Sequence, residues 1–171
     1  MPVLPFTVIA ARSGSPIHLQ QIQASNQAFW IGQGPTTYCP VPTVPASECP
    51  PGTTTAFLVN PPYGTCALDV EVPGGQLVYV QPNGALGFTQ AHSASIPTGS
   101  VTMTFTLVQG TSFGTFGFSG LGANGFVACP TNGTFPYQIY ANVAGGNFND
   151  CLGFDALTSN YTQGAAAWQY V

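Results

Sequence analysis

The sequence predicts an all-β fold, a single antiparallel domain over residues 1–171, built as a sandwich or barrel of about ten strands and stapled by disulfides. Three observations carry that expectation. No segment sustains an apolar period of 3.6, whereas short apolar or alternating runs recur between clusters of Gly, Pro, Asn and Ser. Composition is 44% apolar and only 4% charged, far below the roughly 25% of ordinary soluble domains, so the surface must be built from neutral polar residues. Five cysteines in 171 residues suit a chain that matures in an oxidising compartment.

Taken in order, Phe6-Thr7-Val8-Ile9-Ala10-Ala11 is apolar and β-branched, and Ser13-Gly14-Ser15-Pro16 ends that first strand. Ile17 and Leu19 then alternate with His18 and Gln20 as a second strand. Ile22 falls off the alternation, which predicts a bulge near Gln21. Ala28-Phe29-Trp30-Ile31 is the next apolar run, closed by Gly32-Gln33-Gly34-Pro35. Over 35–52 the prolines deny a ladder its donors, so a long loop is expected, rigidified by proline and cysteine. Residues 53–59 form a strand candidate cut off by Asn60-Pro61-Pro62-Tyr63-Gly64.

Residues 67–72 alternate apolar with acidic, which places Asp69 and Glu71 on one face of a strand. After Pro73-Gly74-Gly75, residues 76–81 form a strand that Pro82-Asn83-Gly84 turns back as a hairpin into 85–89. The cleanest alternation is 100–108, with Val101, Met103, Phe105 and Leu107 on one side and Ser/Thr on the other. Phe116 and Phe118 share a side and are assigned to the core. Residues 125–130 and 137–143 read as two further strands. A bridge from Cys129 to Cys151 would join the end of one to the start of a third, Cys151-Leu152-Gly153-Phe154, enclosing the hairpin between them. At the end, Ala165-Ala166-Ala167-Trp168 suits a short helix, or 161–171 finishes as an edge strand.

The cysteines are Cys39, Cys49, Cys66, Cys129 and Cys151, with no CxxC and no Cys/His spacing of the kind that binds zinc. Two bridges at most can form within the chain. Beside Cys129–Cys151, the second is drawn from the other three: Cys39–Cys49 would close the proline loop, and Cys49–Cys66 would pin it across the next strand. The thiol left over is either buried or free to make a covalent dimer.

Charge excludes whole classes of partner. One Arg and no Lys cannot neutralise a phosphate backbone, which removes nucleic acid, and anionic membrane surfaces fall with it. No run of 18 apolar residues exists to insert in a bilayer. Residues 1–5 lack a basic region and a continuous apolar run. The chain is therefore expected to be a mature form whose leader has been removed, with a cytosolic protein as the competing expectation. Arg12, just before a turn, is expected to pair with an acid or clamp a backbone carbonyl.

Catalytic chemistry finds little footing. Asp69 and Glu71 have the spacing for acid–base work or a hard cation, but no companion acid is identifiable across a cleft, and a solvent face explains them better. His92 lies in a small-residue loop, with no GxSxG elbow in the chain, and two histidines fall short of a zinc site. No enzyme activity, cofactor or metal is expected. Asn132-Gly133-Thr134 and Asn160-Tyr161-Thr162 are N-glycosylation sequons. Trp30, Tyr63, Phe113 and Trp168 are the candidates for stacking on a ligand.

Two stretches resemble a known family. Gly-Phe-Val-Ala-Cys-Pro at 125–130, the aromatic strand after it and Cys-Leu-Gly-Phe-Asp-Ala-Leu at 151–157 are similar to the C-terminal half of the fungal phialide-type cell-wall proteins, a group that includes IgE-binding allergens. Residues 6–29, FTVIAARSGSPIHLQQIQASNQAF, resemble the same family's opening strand, its Arg-Ser-Gly-Ser turn and the next strand. The resemblance implies a secreted β-protein of the cell wall or spore-bearing structures and supplies no catalytic residues. Members carry a cysteine near the C-terminus, whereas this chain ends Trp168-Gln169-Tyr170-Val171, so their pairing is not carried over. The leading expectation is a non-catalytic structural protein of the wall or surface, self-assembling, whose partners are wall polysaccharide or its own copies. The alternative is a module that binds carbohydrate or a small apolar ligand by stacking and neutral hydrogen bonds.

Overall fold

Why this chain makes so much sheet follows from its turns. Thirteen glycines take positive φ, most of them between or at the ends of strands, where the backbone must reverse. The computed structural model describes residues 3–171; Met1 and Pro2, part of the segment read for a leader, lie outside the described residues. Its strands are β1 (Phe6–Ala11), β2 (Gln23–Ser25), β3 (Ala28–Ile31), β4 (Thr37–Tyr38), β5 (Phe57–Asn60), β6 (Thr65–Leu68) and β7 (Val78–Val80). They continue as β8 (Leu86–Phe88), β9 (Phe105–Val108), β10 (Gly114–Phe118), β11 (Phe126–Thr131), β12 (Thr134–Ala141), β13 (Leu152–Asn160) and β14 (Gln169–Tyr170). One large antiparallel sheet runs β6-β5-β1-β13-β11-β12-β3-β8-β7, with β10 and then β9 branching from β13, and β2 from β3.

The nine-residue β13 joins the two parts of that sheet. Its opening residues, Leu152 to Phe154, pair with β11. From Asp155 to Asn160 it pairs with β1, while Ala156 to Thr158 pair on the other edge with β10. The sheet folds over on itself around this strand. Phe57 on β5 and Phe29 on β3 stand five strands apart in the order, which would separate them by about 24 Å in a flat sheet. Their ring centroids are 5.4 Å apart. Phe116 on β10 likewise meets Phe126 on β11 at 5.4 Å. The core is thus a chain of Phe rings from both faces, and its inward set on β1, Phe6, Val8 and Ala10, is fully buried.

The sheet does not close into a barrel. Its two ends, β6 and β7, meet through a single bridge between Ala67 and Leu77 and a hydrogen bond from Leu68 N to Gln76 O at 3.0 Å. Among the described residues the strands number fourteen rather than about ten, because several are only two or three residues long.

Other sequence expectations are corrected. Ile17 and Leu19 do not alternate along a strand: residues 13–19 form turns, Ile17 drops into the core, and Leu19 has φ +62 and lies exposed. The 100–108 run is also broken. Thr104 adopts φ +70, which no strand sustains. Before it Val101 bridges Val80, and after it β9 pairs with β10, so the two halves belong to opposite parts of the folded sheet. Met103, assigned inward by alternation, is exposed as a result. In 53–59 only the second half is strand, and β6 ends at Leu68, before the acidic residues. The terminal alanines are not helical; β14 pairs with β4 in a separate two-stranded ladder.

Candidate functional site

A buried latch positions the site. Gln76 is almost wholly buried, and its side chain grips the main chain of Tyr170 in both directions: Nε2 donates to Tyr170 O at 2.8 Å, and Oε1 accepts from Tyr170 N at 2.9 Å. The same Nε2 also donates to Thr89 O at 3.0 Å. The Tyr170 hydroxyl donates to Thr54 O at 2.6 Å. Beyond the latch, Val171 O accepts from Asn26 N and Val171 N donates to Thr36 O, both at 2.9 Å. The C-terminal segment is thereby pinned beside the β2–β3 turn.

Two adjoining hollows open there, of about 280 and 340 Å³, and both are lined by Gln27 and Gln90. Asn26 and Gln169 complete the first; Ser93 and Ser95 complete the second. Gln90 Nε2 donates to Gln27 Oε1 at 3.4 Å, so each amide keeps donors and acceptors for a guest. Phe88 and Tyr170 floor one hollow and Tyr79 the other. Burial pushes the Tyr79 and Tyr170 phenols up, so both remain neutral hydroxyls below the ordinary tyrosine value of about 10. The cleft presents amides and hydroxyls over apolar floors, a surface suited to a neutral polyol.

The backbone here is unusual. Asn26 and Gln27, at φ +53 and +56, form the two-residue turn between β2 and β3, and His92 in the facing loop has φ +62. Asn tolerates that region, but a Gln in it costs on the order of 1 kcal/mol, and such outliers cluster at binding sites. Sequence reading passed over this turn. Its signal was an Asn-Gln pair between two short apolar runs, a weaker form of the Asn-Gly hairpin mark.

On another part of the surface, β9 pairs only with β10 among the described residues, and its other edge lies along a groove of about 600 Å³. Leu4, Val59, Pro61, Pro62, Leu107 and Val108 line it, together with Asn160 at the end of β13, and among the described residues no charged side chain does.

The four stacking candidates are not brought together. Tyr63 is 72% exposed in the β5–β6 turn, and Phe113 is 49% exposed before β10. Trp30 is half-buried on β3, its Nε1 donating to Ser25 O at 2.9 Å, while Trp168 O accepts from Val72 N at 3.0 Å. None of the four stacks on another ring among the described residues. Asn132 lies exposed at the tip of the β11–β12 hairpin.

Cys39 is bonded to Cys49, closing the proline loop, and Cys129 to Cys151. Cys66 is a fully buried free thiol, pushed well up by desolvation, so it offers nothing to a covalent dimer. Asp69 is half-buried; desolvation raises its carboxyl first, the Ala166 N–H lowers it and the nearby Glu71 charge raises it again. Its Oδ2 is buried without a partner, while Glu71 is exposed. Arg12 clamps a carbonyl, Nη1 donating to Gly153 O at 2.8 Å, and its own N–H donates to His18 Nδ1 at 3.0 Å. Among the described residues no three His, Cys, Asp or Glu side chains converge as a metal site would require, and no helix is long and apolar enough to cross a membrane.

The family model of PhiA-like secreted proteins matches residues 6–171. A protein of Arthroderma benhamiae described as an uncharacterized secreted protein is 42% identical over 156 residues, covering 87% of this chain and 76% of its own length. No solved structure matches the chain.

Proposed function

The chain belongs to the PhiA-like secreted proteins of fungi, and from that premise we propose that it is a non-catalytic component of the cell wall that holds neutral wall polysaccharide through the Gln27–Gln90 cleft. The single observation behind this reading is the cleft itself: two amides shared by two adjoining hollows, flanked by Asn26, Gln169, Ser93 and Ser95, with no acidic or basic side chain among the residues that line it. A sugar ring offers hydroxyls around its rim and C–H faces above and below, which such a lining can satisfy without charge. Trp30, Tyr63, Phe113 and Trp168, the residues expected to stack on a ligand, do not line this cleft, so the proposed binding rests on hydrogen bonding.

Co-sedimentation with insoluble β-glucan and with chitin tests the proposal. Wild-type protein is expected to pellet with at least one of them, with little dependence on salt because no ion pairs form. Gln27→Gly with Gln90→Ala removes both amides while relieving the left-handed turn, and should weaken binding about tenfold or more at unchanged melting temperature. Failure of the wild type to bind either polymer, or undiminished binding by the double variant, overturns the reading. Release of soluble sugar from the polymer that disappears in Asp69→Asn would overturn its non-catalytic part.

A further inference from the structure

We propose that Asn160 carries an N-linked glycan whose innermost sugars lie in the apolar groove beside β9 and cover the free edge of that strand. Asn160 stands in the sequon Asn160-Tyr161-Thr162, and both Asn160 and Thr162 are exposed. The protein is secreted, so it passes the compartment in which sequons are modified. The amide nitrogen of Asn160 attacks the anomeric carbon of a lipid-linked oligosaccharyl diphosphate. A C–N bond forms, the anomeric C–O bond breaks, the lipid diphosphate leaves with the electron pair, and the amide gives up one proton.

What distinguishes this sequon is its setting. Asn160 itself lines the groove, so a sugar on it starts within reach of Leu4, Pro61, Pro62 and Val108. Those side chains suit the C–H faces and N-acetyl methyl groups of the first sugars. Val108 is 62% exposed, and among the described residues β9 has no strand on that side beyond the hydrogen bond from Phe105 N to Gly64 O at 3.0 Å. An uncovered edge along an uncharged apolar groove invites a second chain, and with a net charge of only −4 there is little repulsion to oppose it. A tethered glycan solves that problem at high effective concentration. By contrast, Asn132 sits exposed at the tip of the β11–β12 hairpin and does not line the groove beside β9, so a glycan there leaves that edge untouched.

The test uses protein secreted from a fungal host. Intact mass and glycopeptide mapping are expected to show Asn160 occupied. Complete deglycosylation of folded protein by an amidase that cleaves at the Asn, and separately Thr162→Ala, which removes the sequon without altering Asn160, should each raise binding of an apolar fluorescent dye several-fold. Each should also shift sedimentation from monomer toward dimer and larger species. Asn132→Gln should leave both readouts as in the wild type. A bare Asn160 in the secreted protein, a fully glycosylated protein that already self-associates through β9, or a completely deglycosylated protein with unchanged dye binding and sedimentation would each overturn the proposal. The polysaccharide reading stands or falls separately, because its cleft shares no lining residue with this groove.

Discussion

Two regions of this molecule are secured in opposite ways. The β11–β12–β13 unit is held locally: β11 and β12 face each other in register from Phe126 and Ala141 to Cys129 and Gln138, and one disulfide of sequence separation 22 closes the unit. The C-terminal segment is held at a distance, by one buried glutamine reaching 94 residues along the chain to Tyr170. In the first region the interactions that make the structure are neighbours in sequence. In the second, a polar side chain inside the core replaces a ladder, and the neutral cleft rests on it. A molecule with almost no charge can afford such a latch because an amide, unlike an ion, crosses into the interior with its hydrogen bonds complete.

Breaking the latch should have the largest effect. Gln76→Ala leaves Tyr170 N, Tyr170 O and Thr89 O without partners in a buried place, a loss of about 4 kcal/mol, or a fall in melting temperature of about 10 °C. Hydrogen exchange should rise at 169–171 and at the β4 partner Thr37–Tyr38 while β11 and β12 remain protected. Exchange that rises evenly along the chain would mean the two regions are one cooperative unit.

Opening the staple should come next. Cys129→Ser with Cys151→Ser frees the loop between them, worth about 3 kcal/mol in the unfolded chain. The β11–β12 ladder should persist in exchange measurements, because its pairing is independent of the bridge. Loss of that ladder ahead of the C-terminal segment would reverse the comparison.

The smallest effect concerns Asp69, whose backbone O accepts from Ala166 N and which therefore belongs to the latch side. Desolvation raises its pKa in the fold, so the folded state disfavours the ionised form. The native protein holds the proton more tightly than the unfolded chain, and stability falls as pH rises from the ordinary aspartate value of about 3.9 through the raised one. Asp69→Asn should accordingly melt slightly higher than wild type at pH 7, with the difference vanishing toward pH 3. A variant that melts lower at pH 7 would show that the carboxylate has a favourable partner.

Legibility followed the same division. The hairpin at Pro82-Asn83-Gly84 could be read because only Gly fits φ +94 where a Cβ would stand 2.4 Å from Ala141 O. The inward placing of Phe116 and Phe118 followed from alternation alone. Alternation misled at 100–108, since a single residue, Thr104, turned one apparent strand into two segments of different layers. The Gln27–Gln90 cleft was invisible because its two amides are 63 residues apart and carry no spacing rule. Gln76 and Tyr170 were read as ordinary strand residues for the same reason.

By itself, then, the sequence determined the all-β class, the neutral surface, the absence of basic character and the family, because each is a property of composition, short period or local motif. Only the tertiary structure decided that the sheet folds around β13, that Cys66 is shut away and that the aromatic candidates are dispersed. It alone brought Asn26, Gln27, Gln90 and Gln169 to one place. Those outcomes depend on contacts between distant segments, which burial of the Phe core and the pairing of strand edges select, and no local pattern records them.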